Sequence, residues 1–223
     1  MAIRQALVVG ATGGIGAALA EELARRGAGV TALSRARDGF DVTNENAVEA
    51  GLARLDGPFD LIFVATGALE LNGKGPEKSL KELEPRALVD QFAVNCLGPA
   101  LVLKHARHLM PRRERAVFAA LSARVGSIGD NGKGGWYSYR VAKAALNQML
   151  HTAAIELART HREAIVAALH PGTVATPLTE KFVGDHPTVS PAEAAGRLLE
   201  VVEGLKPAQS GGFFDYAGRE IPW

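Results

Sequence analysis

Ala6-Leu7-Val8-Val9-Gly10-Ala11-Thr12-Gly13-Gly14-Ile15-Gly16 says more about the fold than any other stretch of this 223-residue chain. An apolar run enters a glycine-rich turn, and a helical pattern follows from Ala17 to Arg26. That order is strand, turn, helix. Glycines lack a Cβ, so such a turn can take positive φ and let backbone approach a ligand. The helix start then offers unpaired N–H groups and a positive dipole end to a pyrophosphate. The glycine spacing is G-x-x-x-G-x-G, which departs from the G-x-G-x-x-G dinucleotide fingerprint. Taken alone, the turn also reads as a tight strand-helix connection that binds nothing.

Outward from this turn, the pattern repeats. Strand-like apolar runs lie near residues 5–9, 29–34, 60–65, 115–121, 164–169 and 212–215. Helical patterns separate them near 15–26, 44–55, 86–109, 137–159 and 191–204. Alternating elements of this length predict an α/β fold: a Rossmann-like, doubly wound parallel sheet with helices on both faces. Residues 1–223 read as one domain, with no repeat, low-complexity tract or linker. The last helix announces its start in Ser190-Pro191-Ala192-Glu193, a capping box with proline at the first helical position.

A second motif lies in Trp136-Tyr137-Ser138-Tyr139-Arg140-Val141-Ala142-Lys143. On a helix, Tyr139 and Lys143 share a face. A free phenol titrates near pH ~10, too high for acid-base work at neutral pH. A neighbouring ammonium favours the phenolate, which would make Tyr139 a general acid for a carbonyl oxygen. The bland reading is a solvated helix pair, common at this spacing.

Together the two motifs make the chain resemble the short-chain dehydrogenase/reductase family, nearly end to end. Gly10, Gly14 and Gly16 match its glycine motif, with Thr12, Gly13 and Ile15 inside the same turn. Asp41-Val42-Thr43 resembles its adenine-contacting element, and Ala65-Thr66-Gly67 falls where Asn-Ala-Gly closes its fourth strand. Asn95, in Val94-Asn95-Cys96-Leu97-Gly98, matches the tetrad asparagine, which implies a bound water linking Lys143 to solvent. Pro171-Gly172-Thr173-Val174-Ala175-Thr176 matches the segment that closes over the nicotinamide, with His170 at the end of the sixth strand. Gly126-Ser127-Ile128-Gly129-Asp130-Asn131 and the ending Gly212-Phe213-Phe214-Asp215-Tyr216 resemble the sniffer-type carbonyl reductases and C-factor-like proteins. The resemblance implies NADPH-dependent carbonyl reduction, with Tyr139 as acid and Lys143 on the nicotinamide ribose. A non-catalytic NADPH-binding regulator is the rival reading.

Cofactor choice is written after the second strand, at Ser34-Arg35. An acidic residue there would take the ribose hydroxyls of NAD, whereas a hydroxyl and a fixed cation suit a 2′-phosphate. NADP(H) is therefore expected, with Arg37 a second contact or a loop arginine. Asp38 is placed past the turn.

The family's catalytic serine stands three residues before a glycine, and here that position is Ala123. Ser122 is the first substitute, turned inward only if the strand end is irregular. Ser127 is the second. The long interval from Ser122 to Tyr139 predicts an extended loop at the pocket mouth.

Other residues take plainer readings. His105 and His108 make too few ligands for a metal, so none is expected. Cys96, the single cysteine, reads as a small core residue, and its solitude excludes an internal disulfide and fits a reducing, cytoplasmic setting. Trp136 and Tyr137 either line the pocket or pack beneath the loop. A net charge of +1 gives no field for nucleic acid or an acidic membrane. No signal-peptide core or membrane-spanning run is expected. Leu97, Leu101, Leu103, Leu146, Met149 and Leu150 exceed what two helices need to cover a sheet. Family members pair through these two helices, which implies a homodimer or tetramer acting on a small carbonyl or alcohol.

Overall fold

The structure, a computed structural model, describes residues 2–182 and 187–223. Among the described residues, six strands form one sheet in the order β2-β1-β3-β4-β5-β6, and every neighbouring pair is parallel. They are β1 (Gln5–Val9), β2 (Gly29–Leu33), β3 (Leu61–Val64), β4 (Ala116–Leu121), β5 (Ala164–His170) and β6 (Phe213–Asp215). The helices are α1 (Gly14–Arg25), the single turn α2 (Arg35–Asp38), α3 (Glu45–Leu52), α4 (Pro85–Phe92), α5 (Gly98–Ala106), α6 (Tyr137–Leu157) and α7 (Pro191–Gly204).

Strand residues alternate between two cores. Leu7 and Val9 of β1 face the side packed by Val48, Val102, Leu146 and Leu150 of α3, α5 and α6. Ala6 and Val8 face the side packed by Leu19, Leu23, Leu198 and Leu199 of α1 and α7. Each buried leucine contributes about 1.5–3 kcal/mol of transfer free energy. Both faces of the sheet are thus covered, as the alternating pattern predicts.

The strand order reverses beside β1, which has β2 on one flank and β3 on the other. Folds of this kind open a crevice at the carboxyl ends of the strands at such a switch point. The glycine turn follows β1, Ala65-Thr66-Gly67 follows β3, Ser122-Ala123 follows β4, and Pro171-Gly172 follows β5.

Three local readings need correction. Ala65–Gly67 closes the third strand rather than a fourth, and His170 ends the fifth rather than a sixth. After α2 the chain makes a turn instead of a strand, with Asp41 Oδ1 accepting from Thr43 N at 2.9 Å. The helix expected over 86–109 is two helices joined by a π-helical turn, Ala93–Leu97. That segment has the length and composition to cross a bilayer, yet Val102, Ala106 and Leu109 are in the core. Only half of the box on α7 forms. Ser190 Oγ accepts from Glu193 N at 3.1 Å, while the Glu193 carboxylate turns to Arg197 at 2.6 Å.

Candidate active site

The turn after β1 is shaped to receive an anion. Gly13 caps α1 without a side-chain bond, and no acidic residue stands in the first turn. The early N–H groups of the helix therefore keep their donors for a ligand. A Cβ on Gly16 would lie 2.2 Å from Gly10 O, and one on Gly14 would lie 2.7 Å from Thr176 Cγ2. A side chain at Gly14 would intrude on the cradle and one at Gly16 would displace the turn that forms it, so the residues present fit a dinucleotide pyrophosphate.

A cleft of about 690 Å³ runs from this turn across the carboxyl end of the sheet. Of the residues expected from sequence, Thr12, Gly13, Gly14, Ile15, Ala65, Thr66, Gly67, Ser122, Tyr139, Lys143, Pro171, Gly172, Val174 and Thr176 all border it. Gly10 and Gly16 shape the turn from behind. Ser34, Arg35, Asp41, Val42 and Asn95 stand outside the cleft wall.

At the end of β2, Ser34 is buried and caps α2, accepting from Arg37 N at 3.3 Å. Asp38 does not lie past the turn. One helical turn brings it back, so that its Oδ2 accepts from Ser34 N at 2.8 Å and from Ser34 Oγ at 3.2 Å. The Ser34 hydroxyl is thus committed locally, while Arg35 and Arg37 are the exposed cations at the end of β2. The Asp41 carboxyl is held below its ordinary range by bonds from the Thr43 hydroxyl and amide. Val42 is buried, and its Cγ2 occupies the space where a side chain at Gly98 would stand.

Asn95 sits in the π-helical turn, fully buried. Its Nδ2 donates to Ala68 O at 2.9 Å and Gln91 Oε1 at 2.7 Å, and its Oδ1 accepts from Ala68 N at 3.2 Å. The side chain thereby pins the loop after β3. A Cβ built on Gly67 would meet Asn95 Oδ1 at 3.1 Å and Lys143 Nζ at 3.6 Å, so both groups converge there. π-turns of this kind are frequent at functional sites.

Tyr139 and Lys143 occupy one face of α6 as their spacing requires. Lys143 is buried, donates to Leu121 O at 2.8 Å, and stands 5.7 Å from the Tyr139 ring centre. Burial pushes the Lys143 amine down to about 7. Burial also pushes the Tyr139 phenol above its ordinary value. Burial thus works against the depression of the phenol that the spacing leads one to expect.

Neither serine presents a free proton to the cleft. Ser122 borders it, but its hydroxyl donates to Asn147 Oδ1 at 2.6 Å, and a hydroxyl has one hydrogen to give. Ser127 turns away, donating to Pro222 O at 2.5 Å and accepting from Asp130 N at 3.0 Å. Ala123 faces the cleft in the place of the family's serine.

The long interval before α6 does form a loop at the mouth, contributing Asp130, Lys133 and Trp136. Trp136 lines the cleft and packs edge-on against Tyr139 (6.2 Å) and Phe182 (5.9 Å). His170 also lines it, its imidazole held down to about 4 by burial and by nearby Arg124. Cys96 is a core residue whose thiol burial raises to about 11.

The start of α6 depends on a residue the sequence reading missed. Trp136, its N-cap residue, has φ 55° and supplies no side-chain cap. Glu77 supplies it instead. Its Oε2 accepts from Ser138 N at 3.1 Å, its Oε1 accepts from the Ser138 hydroxyl, and its backbone carbonyl accepts from Trp136 N at 2.5 Å. A partner 61 residues upstream leaves no local signal. Phe182, Leu178, Arg124 and Arg140 were likewise missed, although Arg140 lies inside the Tyr139–Lys143 motif.

Comparison with known proteins agrees with this geometry. The short chain dehydrogenase family profile matches residues 4–186. A 1-hydroxy-2-glutathionyl-2-methyl-3-butene dehydrogenase from Rhodococcus sp. (strain AD45) is 34% identical over 97% of this chain and 98% of that protein. The C-signal of Myxococcus xanthus is 31% identical over 75% of this chain and 94% of that protein. An NADP-bound short-chain dehydrogenase/reductase from Burkholderia multivorans superposes with a TM-score of 0.81 at 27% identity, covering 99% of this chain and all of that one. The carbonyl reductase Sniffer of D. melanogaster shares the fold at TM-score 0.81 and 21% identity, over 99% of this chain and 100% of its own. With its glycine turn, its Tyr139/Lys143 face and its C-signal-like sequence, the chain belongs to the short-chain dehydrogenase family of oxidoreductases.

Proposed function

We propose that this protein interconverts a small carbonyl compound and its alcohol with NADP(H), and that Tyr139 is the proton donor. One observation carries the reading: Tyr139 and Lys143 meet on α6 at a cleft whose far end is the uncapped start of α1. The names of its relatives, a hydroxy-compound dehydrogenase and NADP-bound reductases, support the same couple.

The turn from Gly10 to Gly16, Ala65–Gly67 and the segment from Pro171 to Thr176 would hold the dinucleotide, with Arg35 toward the 2′-phosphate. When bound, NADPH supplies the hydride. With its pKa raised further above neutrality by burial, the Tyr139 phenol is protonated at neutral pH, the form that can give a proton to the carbonyl oxygen. As that proton leaves, the growing phenolate charge is stabilised by Lys143 in a site of low dielectric. Asn95 holds the loop at Ala68 against which Lys143 sits. Tyr139→Phe keeps the ring and removes the proton, so the rate of NADPH oxidation with a reducible carbonyl should fall ~10²-fold or more, with cofactor affinity little changed. Unchanged turnover would refute the mechanism.

A second reading, an NADPH-binding regulator without turnover, is favoured by one observation. Ala123 offers no hydroxyl and that of Ser122 is tied to Asn147. A carbonyl panel that leaves NADPH unoxidised in the intact protein would select it.

We also propose a homodimer. Leu101, Leu103, Leu146 and Leu150 are spent in the core, but Val89, Phe92 and Leu97 on one helix pair and Val141, Met149 and Ile155 on α6 remain exposed. Light scattering should give about twice the 23.5 kDa chain mass at micromolar concentration. A monomer there would refute the pairing. Assembly in the cytoplasm belongs to the same proposal.

A further inference from the structure

We propose that the mouth of the cleft is an anion-binding subsite, and that the substrate is a carbonyl or alcohol carrying a carboxylate. This rests on the oxidoreductase reading and adds the substrate's charge. The outer cleft has an apolar wall of Val125, Trp136, Leu178 and Phe182, which suits a hydrocarbon body. Around it stand Arg124, Lys133 and Arg140, with Asp130 the one carboxylate of the wall among the described residues.

The three cations are balanced unequally. Arg140 donates to three backbone carbonyls, Gly135 O (2.9 Å), Val125 O (3.1 Å) and Gly134 O (3.1 Å). Carbonyl dipoles orient its guanidinium without cancelling the unit charge, which arginine cannot shed. Arg124 lies 3.1 Å from Asp130 and 3.6 Å from Asp215. The Asp215 carboxylate is already matched by Arg219 at 2.8 Å, so Arg124 is balanced mainly by Asp130. Lys133 makes no ion pair among the described residues and is exposed between Gly132 and Gly134, whose backbone freedom extends its reach.

The nearby carboxylates do not alter this balance. Glu70 is paired with Lys181 at 2.9 Å, and Glu77, which keeps its charge while capping α6, stands outside the cleft wall. Among the described residues of the cleft wall, Arg124, Lys133 and Arg140 outnumber Asp130, which leaves the mouth positive beside a low-dielectric wall and concentrates and orients an anion. A carboxylate anchored by Lys133 and Arg124 leaves the rest of the molecule along Trp136 toward Tyr139.

The test uses an aromatic aldehyde bearing a ring carboxylate, its methyl ester, and the NADPH-loaded protein. Expected is a kcat/KM for the acid about tenfold above that of the ester, carried mainly by KM and shrinking as salt rises. In Lys133→Gln and Arg124→Gln, the acid-to-ester ratio should fall toward one. An ester reduced as well as the acid, at every ionic strength, overturns the subsite and leaves the carbonyl reductase reading standing. Calorimetric titration of both compounds into the NADP-loaded protein separates the two ideas. Tighter binding of the acid without reduction of either compound keeps the subsite and refutes the reaction. Equal binding refutes the subsite.

Discussion

Replacing Glu77 with alanine tests whether a residue far from the motif holds the catalytic helix in place. Glu77 is 5% exposed and Ser138 2% exposed, so little water can replace the lost acceptor. The substitution strands two donors, the Ser138 amide and hydroxyl. An unsatisfied buried donor costs about 1–3 kcal/mol. Against this, a buried carboxylate is removed, and its desolvation penalty goes with it. Helix caps lost elsewhere cost about 0.5–2 kcal/mol. A net loss of about 2 kcal/mol follows. With a urea m-value of about 2 kcal/mol/M, the unfolding midpoint should fall by about 1 M. Glu77→Gln retains one acceptor for the Ser138 amide, and the Ser138 hydroxyl can rotate to accept from the new NH₂, so its loss should be less than half as large. Turnover should also fall in Glu77→Ala, because Tyr139 lies one residue beyond Ser138 on the loosened helix start. A midpoint for Glu77→Ala within about 0.2 M of the parent would refute the capping argument.

Two further outcomes are expected. Arg35→Ala should weaken NADPH by about tenfold while leaving NADH unchanged, read by fluorescence titration of both cofactors. Equal affinities in the parent protein would sink the assignment. Lys143 sets a pH dependence in the cofactor-free protein. Its folded value of about 7 lies below the ordinary 10.5, so between those limits the unfolded chain binds a proton that the folded one does not. Stability should therefore rise with pH across that window, by up to a few kcal/mol, and the full burial cost should be present below it. Urea midpoints at about pH 7 and about pH 9 should diverge between the parent and Lys143→Met, and parallel profiles would refute the burial of an ionisable amine.

The sheet was legible because its signals are local and periodic. The run from Ala6 to Gly16 encodes strand, turn and helix within one hydrophobic repeat, and the other five strands follow the same rule. Tyr139 and Lys143 were legible because four residues on a helix fix a shared face. What stayed hidden depends on direction or distance. Ser122 and Ala123 both border the cleft at a strand end, and only the packing of Asn147 on α6 shows that the Ser122 hydroxyl is already bonded. Asp38 reads as a loop residue until the chain makes one helical turn and returns it to Ser34. The spacing of Tyr139 and Lys143 fixes their proximity but says nothing of their burial. Glu77 and Phe182 reach the site across the fold, with no motif to announce them.

The π turn from Ala93 to Leu97 makes one helix serve two frames of reference. Deleting a single residue there would restore ordinary spacing, turning everything beyond it by about 100° and drawing it back by about 1.5 Å. Asn95 could then keep its grip on Ala68 and Gln91, or Val102 and Ala106 could keep their seats on the sheet, but not both. The front of the helix is indexed to the site and the rear to the scaffold, with one surplus residue as the offset between them. Length in this segment is thus constrained more tightly than composition: a side-chain swap disturbs one contact, while a one-residue gap misaligns two halves of the protein.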